Sequence, residues 1–486
     1  MPAPTDAAPA RRASGATIAL ARVVASLEPR TWRRLAVAVA VIQLVGVAVA
    51  AGDHLMLEGD GAFCVYAIAV GRPWLLKWAD IAPRAAVYGL TAVPTAWIAQ
   101  AAHLSPMAIA DLNGLIFYAV PLAQFLVACA LVWRRAPRLL AFPVATYACA
   151  SAMQFGFPSE IALAPGFLWI CLFLVDRGQA ISLGALVGFV GLLFSHELAV
   201  PAAVIAAGFA AVRVRGGWRV VAVVVTALIC LALDAALRLA GGTHGEMAPA
   251  SAFPIATLLQ SVQLWLGLGV AGLTLLAVRV RPKLFRQRLA WWATGALAAG
   301  LPLALALSPS IDFEHGLYPT GRTVIALAMA SLAGLFVAAR LDGDLAPDPM
   351  PPLASRAAAP VVFAALACMV GCAAAFLTEF NLEQDGLRRL VAATPGRGPP
   401  LLSVDDAAAL VVPAEAAVLR HRQFAWTLPY RSAVLADGAV PAHLIYDRFN
   451  ASAFRDYCTR AGAIDPARSA IPPVALAEVK AYACAQ

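Results

Sequence analysis

Three carboxylates and a histidine stand together in Asp53-His54-Leu55-Met56-Leu57-Glu58-Gly59-Asp60-Gly61-Ala62-Phe63-Cys64-Val65-Tyr66, just beyond the first long apolar run. A carboxylate placed this way can take the proton of a hydroxyl nucleophile. Glycines on both sides of Asp60 open backbone conformations closed to other residues and leave its carboxylate uncrowded. The same composition also fits a plain solvated loop after a helix.

Two further stretches carry ionisable groups where an apolar run breaks. Ser195-His196-Glu197 interrupts such a run with no turn residue before it, so charge falls near a membrane boundary, where it faces a cavity or a partner. A tight polar turn between helices is the plainer reading. Ser195 and His196 do not make a nucleophile pair, because neighbours on a helix point about 100° apart. Asp312 to Arg322 holds Glu314, His315 and Tyr318, and Arg322 opens the next apolar run. A guanidinium there can fork onto a phosphate at headgroup depth, or can serve as a snorkelling anchor. Asp234 and Arg238, at i and i+4 within one run, read as a structural ion pair.

The elements that must position these groups are membrane spans. Of 486 residues, 61% are hydrophobic and only 13% charged, against about 25% charged in soluble domains. The net charge of +8 sits in short Arg clusters between apolar runs, not on one face or tail. It therefore reads as topology and not as a nucleic-acid partner. The nine cysteines include no C-x-x-C and no two-pair zinc-ligand framework.

About eleven spans are expected: Leu35–Ala51, Ser105–Trp133, Leu139–Phe157, Ile161–Val175, Ala180–Phe194, Leu198–Val212, Val220–Ala240, Phe253–Val278, Leu289–Leu307, Thr323–Ala339 and Ala357–Leu377. Residues 1–34 read as a disordered basic tail, and Ala48-Val49-Ala50 also resembles a signal-peptidase site. The segment Arg84–His103, broken by Pro94, reads as interfacial helices inside a long first outer loop, 52–104. Basic residues crowd one set of alternate connections, around Arg134–Arg138, Arg213–Arg219 and Arg279–Arg288. The facing connections hold only Arg72, Lys77, Arg84 and Arg322. The crowded side is then cytoplasmic, with the N-terminus, and residues 378–486 lie outside. Strand-like Leu401–Val404 and Ala442–Tyr446 alternate with helix-like Asp405–Leu419 and Val474–Ala483, which suggests a small α/β domain. In an extracytoplasmic domain Cys458 and Cys484 are expected to form a disulfide.

This arrangement resembles the GT-C superfamily of membrane glycosyltransferases over nearly the whole chain. Asp60 through Tyr66 to Gly71-Arg72-Pro73 is similar to the first outer loop of polyprenyl-phosphate-mannose-dependent mannosyltransferases. The resemblance implies a polyprenyl-phosphate-linked sugar as donor, a periplasmic glycan or lipid as acceptor, and Asp60 as the catalytic carboxylate. The commonest pattern has an adjacent acidic pair, whereas Gly61 follows Asp60 here and Glu58 is the nearest substitute. The departing lipid phosphate gains charge, so Arg322, His196 or a bound divalent cation is required beside it. Glu197, Glu314, His315 and Tyr66 fall in supporting positions, and attack opposite the phosphate would invert the anomeric carbon. The expected setting is the cell inner membrane. A transporter is the rival class, but the charges gather at the outer ends of spans and no internal repeat is visible. A non-enzymatic envelope-assembly protein is the third reading.

Overall fold

The computed structural model describes residues 29–69, 71, 84–150, 158–214, 216–240, 259, 261–281, 283–306, 313–341, 352–393, 401–403, 409–416, 428–435 and 444–446. Among them six helices are long and apolar enough to cross a membrane, and large apolar side chains such as Trp97, Leu183, Leu273 and Leu297 stand exposed. Outward-facing leucine and tryptophan in that quantity suit a lipid solvent.

The chain opens with α1 (Pro29–Gly52), a 3-10 turn at Leu55–Leu57, and α2 (Gly59–Ala69). The connection after α1 is therefore folded where the sequence suggested a loop. Its later part forms α3 (Ala85–Leu90) and α4 (Ala92–Ala102). Then come α5 (Pro106–Val132), α6 (Ala141–Ala150), α7 (Ala164–Asp176), α8 (Leu183–Leu193) and α9 (Val200–Arg213). Four further helices follow: α10 (Gly217–Ala240), α11 (Val262–Val280), α12 (Arg288–Ala306) and α13 (Phe313–Leu341). The last long helix is α14 (Pro352–Ala393).

A 42-residue helix is about 63 Å long at about 1.5 Å per residue, twice the roughly 30 Å of bilayer hydrocarbon. α14 thus continues unbroken through Leu377, where the last span was expected to end. No Gly or Pro lies between Gly386 and Leu377 to stop it, and its projecting part carries Asn381, Glu383 and Gln384. Beyond it, β1 (Leu401–Ser403) pairs in parallel with β2 (Leu444–Tyr446), Leu401 opposite Leu444, and α15 (Leu428–Leu435) lies between them in sequence. Cys458, Cys484 and the helix-like Val474–Ala483 lie outside the described residues.

Phe336 of α13 centres the core. Its ring meets Phe142 (α6), Trp169 and Phe173 (α7) and Phe209 (α9) at centroid distances of 5.3, 6.0, 5.7 and 5.7 Å, all steeply inclined. Edge-on aromatic pairs each add about 0.5–1.5 kcal/mol beyond burial. A satellite core of Val270, Ala298, Ala364, Cys368 and Cys372 joins α11, α12 and α14.

Two ion clusters mark the ends of the bundle. At one end Asp176 receives Arg213 at 2.7 Å and two bonds from Arg340 at 2.7 and 2.6 Å. At the other end Glu160, Glu197 and Arg322 meet around Arg84. Three segments therefore connect the same two clusters: Glu160 to Asp176, Glu197 to Arg213, and Arg322 to Arg340. Each covers about 24–27 Å at about 1.5 Å per residue, close to the hydrocarbon thickness. α7 and α9 are shorter than full-length spans, yet with the 3-10 turns before them they reach as far as α13.

The remaining elements orient from these clusters. Arg177, beside Asp176, donates to the Leu131 carbonyl near the end of α5, and Arg33 near the start of α1 donates to the Trp133 carbonyl at 3.0 Å. Thus α1 begins at the Asp176 end. Its far end delivers Asp53 to Tyr66 to the end where Arg84 and Arg322 lie.

Candidate functional site at the Arg84 end

Local geometry fixes the Asp60 helix from both sides. His54 takes a left-handed conformation (φ 55°) and its Nδ1 contacts the Asp111 carboxylate on α5. Gly59 turns into α2 at φ 48°, a conformation costing about 1–2 kcal/mol with a side chain. Gly61 is required for a different reason. A Cβ there would sit 2.5 Å from the Met56 carbonyl oxygen and 3.0 Å from Pro158 Cγ, so α2 is pressed against the turn leading to Glu160. Asp60 occupies the second position of α2; its side chain lies outside the described residues.

The other candidates gather around two arginines. Arg84, just before α3, donates from Nη1 to Glu160 Oε1 at 2.9 Å and reaches both Glu197 oxygens from Nη2 at 3.4 Å. Arg322, nine residues into α13, reaches Glu197 Oε1 at 3.3 Å, and its Nη2 contacts His196 Nε2. Glu197 is thus shared between both guanidinium groups. Burial raises its carboxyl pKa, but Arg84, His196 and Arg322 outweigh that and hold it well below the ordinary range. His196 is fully buried. Its Nδ1 accepts the Leu198 N–H at 3.1 Å, and its Nε2, facing the Arg322 guanidinium, lies 3.4 Å from Glu197 Oε1.

Glu58 stands apart from this group. It is fully buried, with Oε2 3.7 Å from Arg431 of α15. Arg431, also fully buried, bonds Glu383 of α14 at 2.5 Å and lies over the Phe380 ring. Tyr430 packs edge-on to Phe63 at 5.0 Å and tilted against Tyr66 at 5.5 Å. Asn381 also reaches Asp53 at 3.5 Å. The C-terminal segment is therefore seated on the Asp60 helix.

The structure brings Arg322, His196 and Glu197 together and sets Glu58 and Tyr66 on the other side of α2, under α15. Glu314, His315 and Tyr318 fall in the first turns of α13, with side chains outside the described residues. Asp234 is buried, while the side chain of its expected partner Arg238 is outside the described residues. Sequence reasoning missed Arg84, counting it only as a topology residue. The available signal was that Arg84 and Arg322 are exceptions to the charge asymmetry, basic residues on the acid-bearing side. Arg431 carried no comparable signal.

Comparison with protein-family models, with curated proteins and with solved structures gives no match, so the functional reading rests on this geometry.

Proposed function

We propose that the chain is a GT-C-like membrane glycosyltransferase that moves a sugar from a polyprenyl-phosphate donor to a periplasmic glycan or lipid acceptor. The observation that carries the reading is the pairing of Arg84 and Arg322 across Glu197, at the same end of the bundle as the Asp60 helix. Two guanidinium groups beside a carboxylate-bearing helix, one membrane thickness from the Asp176 cluster, suit a lipid whose phosphate sits at the bilayer boundary.

In this mechanism the acceptor hydroxyl gives its proton to the Asp60 carboxylate as its oxygen bonds to the anomeric carbon. The bond from that carbon to the phosphate oxygen breaks, and its electron pair leaves with the polyprenyl phosphate. Arg84 and Arg322 receive the charge that develops there, with His196 held against Arg322. Attack from the face opposite the phosphate inverts the anomeric centre. Glu58, buried against Arg431, serves as an anchor of the helix and not as the proton acceptor.

Among the described residues no three His, Cys, Asp or Glu side chains gather as a cation site. Glu197 is bound by both arginines and Glu160 by Arg84 through Oε1, and the charge of the phosphate is met by those arginines. The excess of Arg and Lys on one side puts the Asp176 end in the cytoplasm and the Arg84 end in the periplasm of an inner-membrane protein. Eleven crossings, including the short α7, α8 and α9 segments, then leave the C-terminal α/β domain outside. The test is transfer from lipid-linked sugar by the purified chain: Asp60→Asn abolishes it while Glu58→Gln, where folded, retains it. Undiminished transfer by Asp60→Asn would sink the assignment.

A further inference from the structure

Beside the Asp176 cluster, α7, α8, α9 and α10 leave between them a cleft of about 140 Å³, lined by Cys171, Phe189, Ala206, Ala210, Ala222 and Thr226 among others. Alanines stand where larger side chains would close the gap between the helices. An apolar space of about 150 Å³ takes a guest of benzene's size, so this one has room for about six carbons of a hydrocarbon chain. Its rim opens outward: Ile181 and Leu186 in the lining are 51% and 43% exposed, and α10 is the least buried of the six long apolar helices. A gap left empty forfeits dispersion contacts on its walls, and an acyl chain is what the surrounding bilayer supplies to fill it.

Charge at the mouth of the cleft selects the lipid. Arg213 follows Ala210 by three residues on α9, and Arg219 precedes Ala222 by three on α10, so each is carried about one turn beyond the lining at the Asp176 end. Arg340 forks onto both Asp176 oxygens, and Arg213 shares Oδ1 at 2.7 Å. Two guanidinium groups thus meet one carboxylate, and among the described residues no second carboxylate bonds them. Arg219 stands exposed over the Trp218 ring at 5.4 Å and adds a further positive charge. Trp218 is itself 70% exposed, as indole rings are at headgroup level. This surplus suits the phosphate of an anionic phospholipid. The polyprenyl donor fits less well, because its phosphate belongs at the Arg84 end, one membrane thickness away.

We propose that this cleft holds one acyl chain of an anionic phospholipid from the leaflet at the Asp176 end, with its phosphate against Arg213 and Arg219. The site does not depend on the glycosyltransferase reading. The full chain in detergent is titrated with phosphatidylglycerol, with phosphatidylcholine of the same chains and with glycerol 3-phosphate, and bound lipid is counted by native mass spectrometry. The wild type retains one phosphatidylglycerol about fivefold or more tightly than phosphatidylcholine and holds no glycerol 3-phosphate. Arg219→Gln, outside the Asp176 cluster, weakens phosphatidylglycerol about fivefold and leaves phosphatidylcholine unchanged. Ala207→Leu, which fills the cleft without touching a charge, loses the one-lipid complex; Thr226→Leu, on the exposed side of α10, does the same and serves where Ala207→Leu does not fold. Equal affinity for the two lipids in the wild type, or a preference unaltered by Arg219→Gln and by the filled cleft, overturns the proposal. A polyprenyl phosphate retained in place of phosphatidylglycerol, or a pairing of two chains abolished by Ala207→Leu, overturns it as well and gives the cleft to the donor's tail or to a second copy.

Discussion

Arg431 donates to Glu383 at 2.5 Å, and neither side chain is exposed to solvent. The same guanidinium stands 3.7 Å from Glu58, two residues before Asp60. One cation thus ties the end of α14, the C-terminal helix α15 and the entry to α2. Removing one partner of a buried ion group costs about 3–5 kcal/mol, whereas replacing the whole group with neutral side chains of similar volume costs far less. Arg431→Met is therefore expected to lower the melting temperature sharply. Adding Glu58→Gln and Glu383→Gln to it recovers most of the loss. Thermal melts of the single and triple variants in detergent decide the matter, and a triple variant no better than the single would count against this account.

The second expectation concerns pH. The carboxyl of Glu197 is held below its ordinary value of 4.5 in the folded protein, so the unfolded state takes up its proton first on acidification. A depressed folded pKa contributes stability that is fully present above about pH 4.5 and is lost as pH falls below it toward the folded pKa. The melting difference between wild type and Glu197→Gln should be the same at pH 7 and pH 6, then shrink below pH 4.5. A difference that grows on acidification would show that Arg84 and Arg322 do not hold the carboxyl down.

Much of the architecture could be read from apolar run length, because a bilayer demands a nearly fixed number of helical residues. The runs at Ser105–Trp133 and Val220–Ala240 match α5 and α10 closely. Run length said nothing about where α14 stops, since leaving the membrane does not end a helix; its polar continuation from Thr378 to Ala393 keeps its backbone bonds in water as well as in lipid. The site was partly legible for a similar reason. His196, Glu197 and Arg322 interrupt or open apolar runs and so announce themselves, whereas Arg84 and Glu160 fall in the connections between runs, where a polar residue needs no special reason. Arg431 matters through contacts with residues 48, 51 and 373 positions away, and no local pattern encodes those.

Arg322 allows a direct contrast between a phosphate contact and a membrane anchor. Its Nη2 lies among His196 and Glu197 with the side chain 11% exposed, so it is placed inward and not toward headgroups. Losing one preorganised charge-stabilising donor typically reduces turnover by about 10²–10³. Arg322→Gln should show a loss of that order in initial rates with lipid-linked sugar, and Arg322→Lys, which keeps charge without the planar fork, an intermediate one. Unchanged rates in both would leave Arg322 as an anchor only.

Gly61 packs the stretch richest in carboxylates against the turn leading to Glu160, and its substitution separates packing from function. In a helix Gly→Ala ordinarily gains up to about 1 kcal/mol. Here the new Cβ meets the Met56 carbonyl at 2.5 Å and Pro158 Cγ at 3.0 Å, and the backbone oxygen cannot rotate away as a side chain would. Overpacking of this kind costs about 1–3 kcal/mol, so the helix gain is cancelled or exceeded. The relaxation moves α2 away from the Pro158–Glu160 turn, which changes the spacing between the Asp60 helix and the Arg84 cluster. Gly61→Ala is thus expected to cut transfer by about tenfold or more while changing the melting temperature only modestly, since misplacement of about 1 Å can cost on the order of 10²-fold. Gly52→Ala, at the end of α1 with nothing within 4 Å of its Cβ, is the matched control and should leave both unchanged. Equal transfer by the two variants would detach the Asp60 helix from the chemistry.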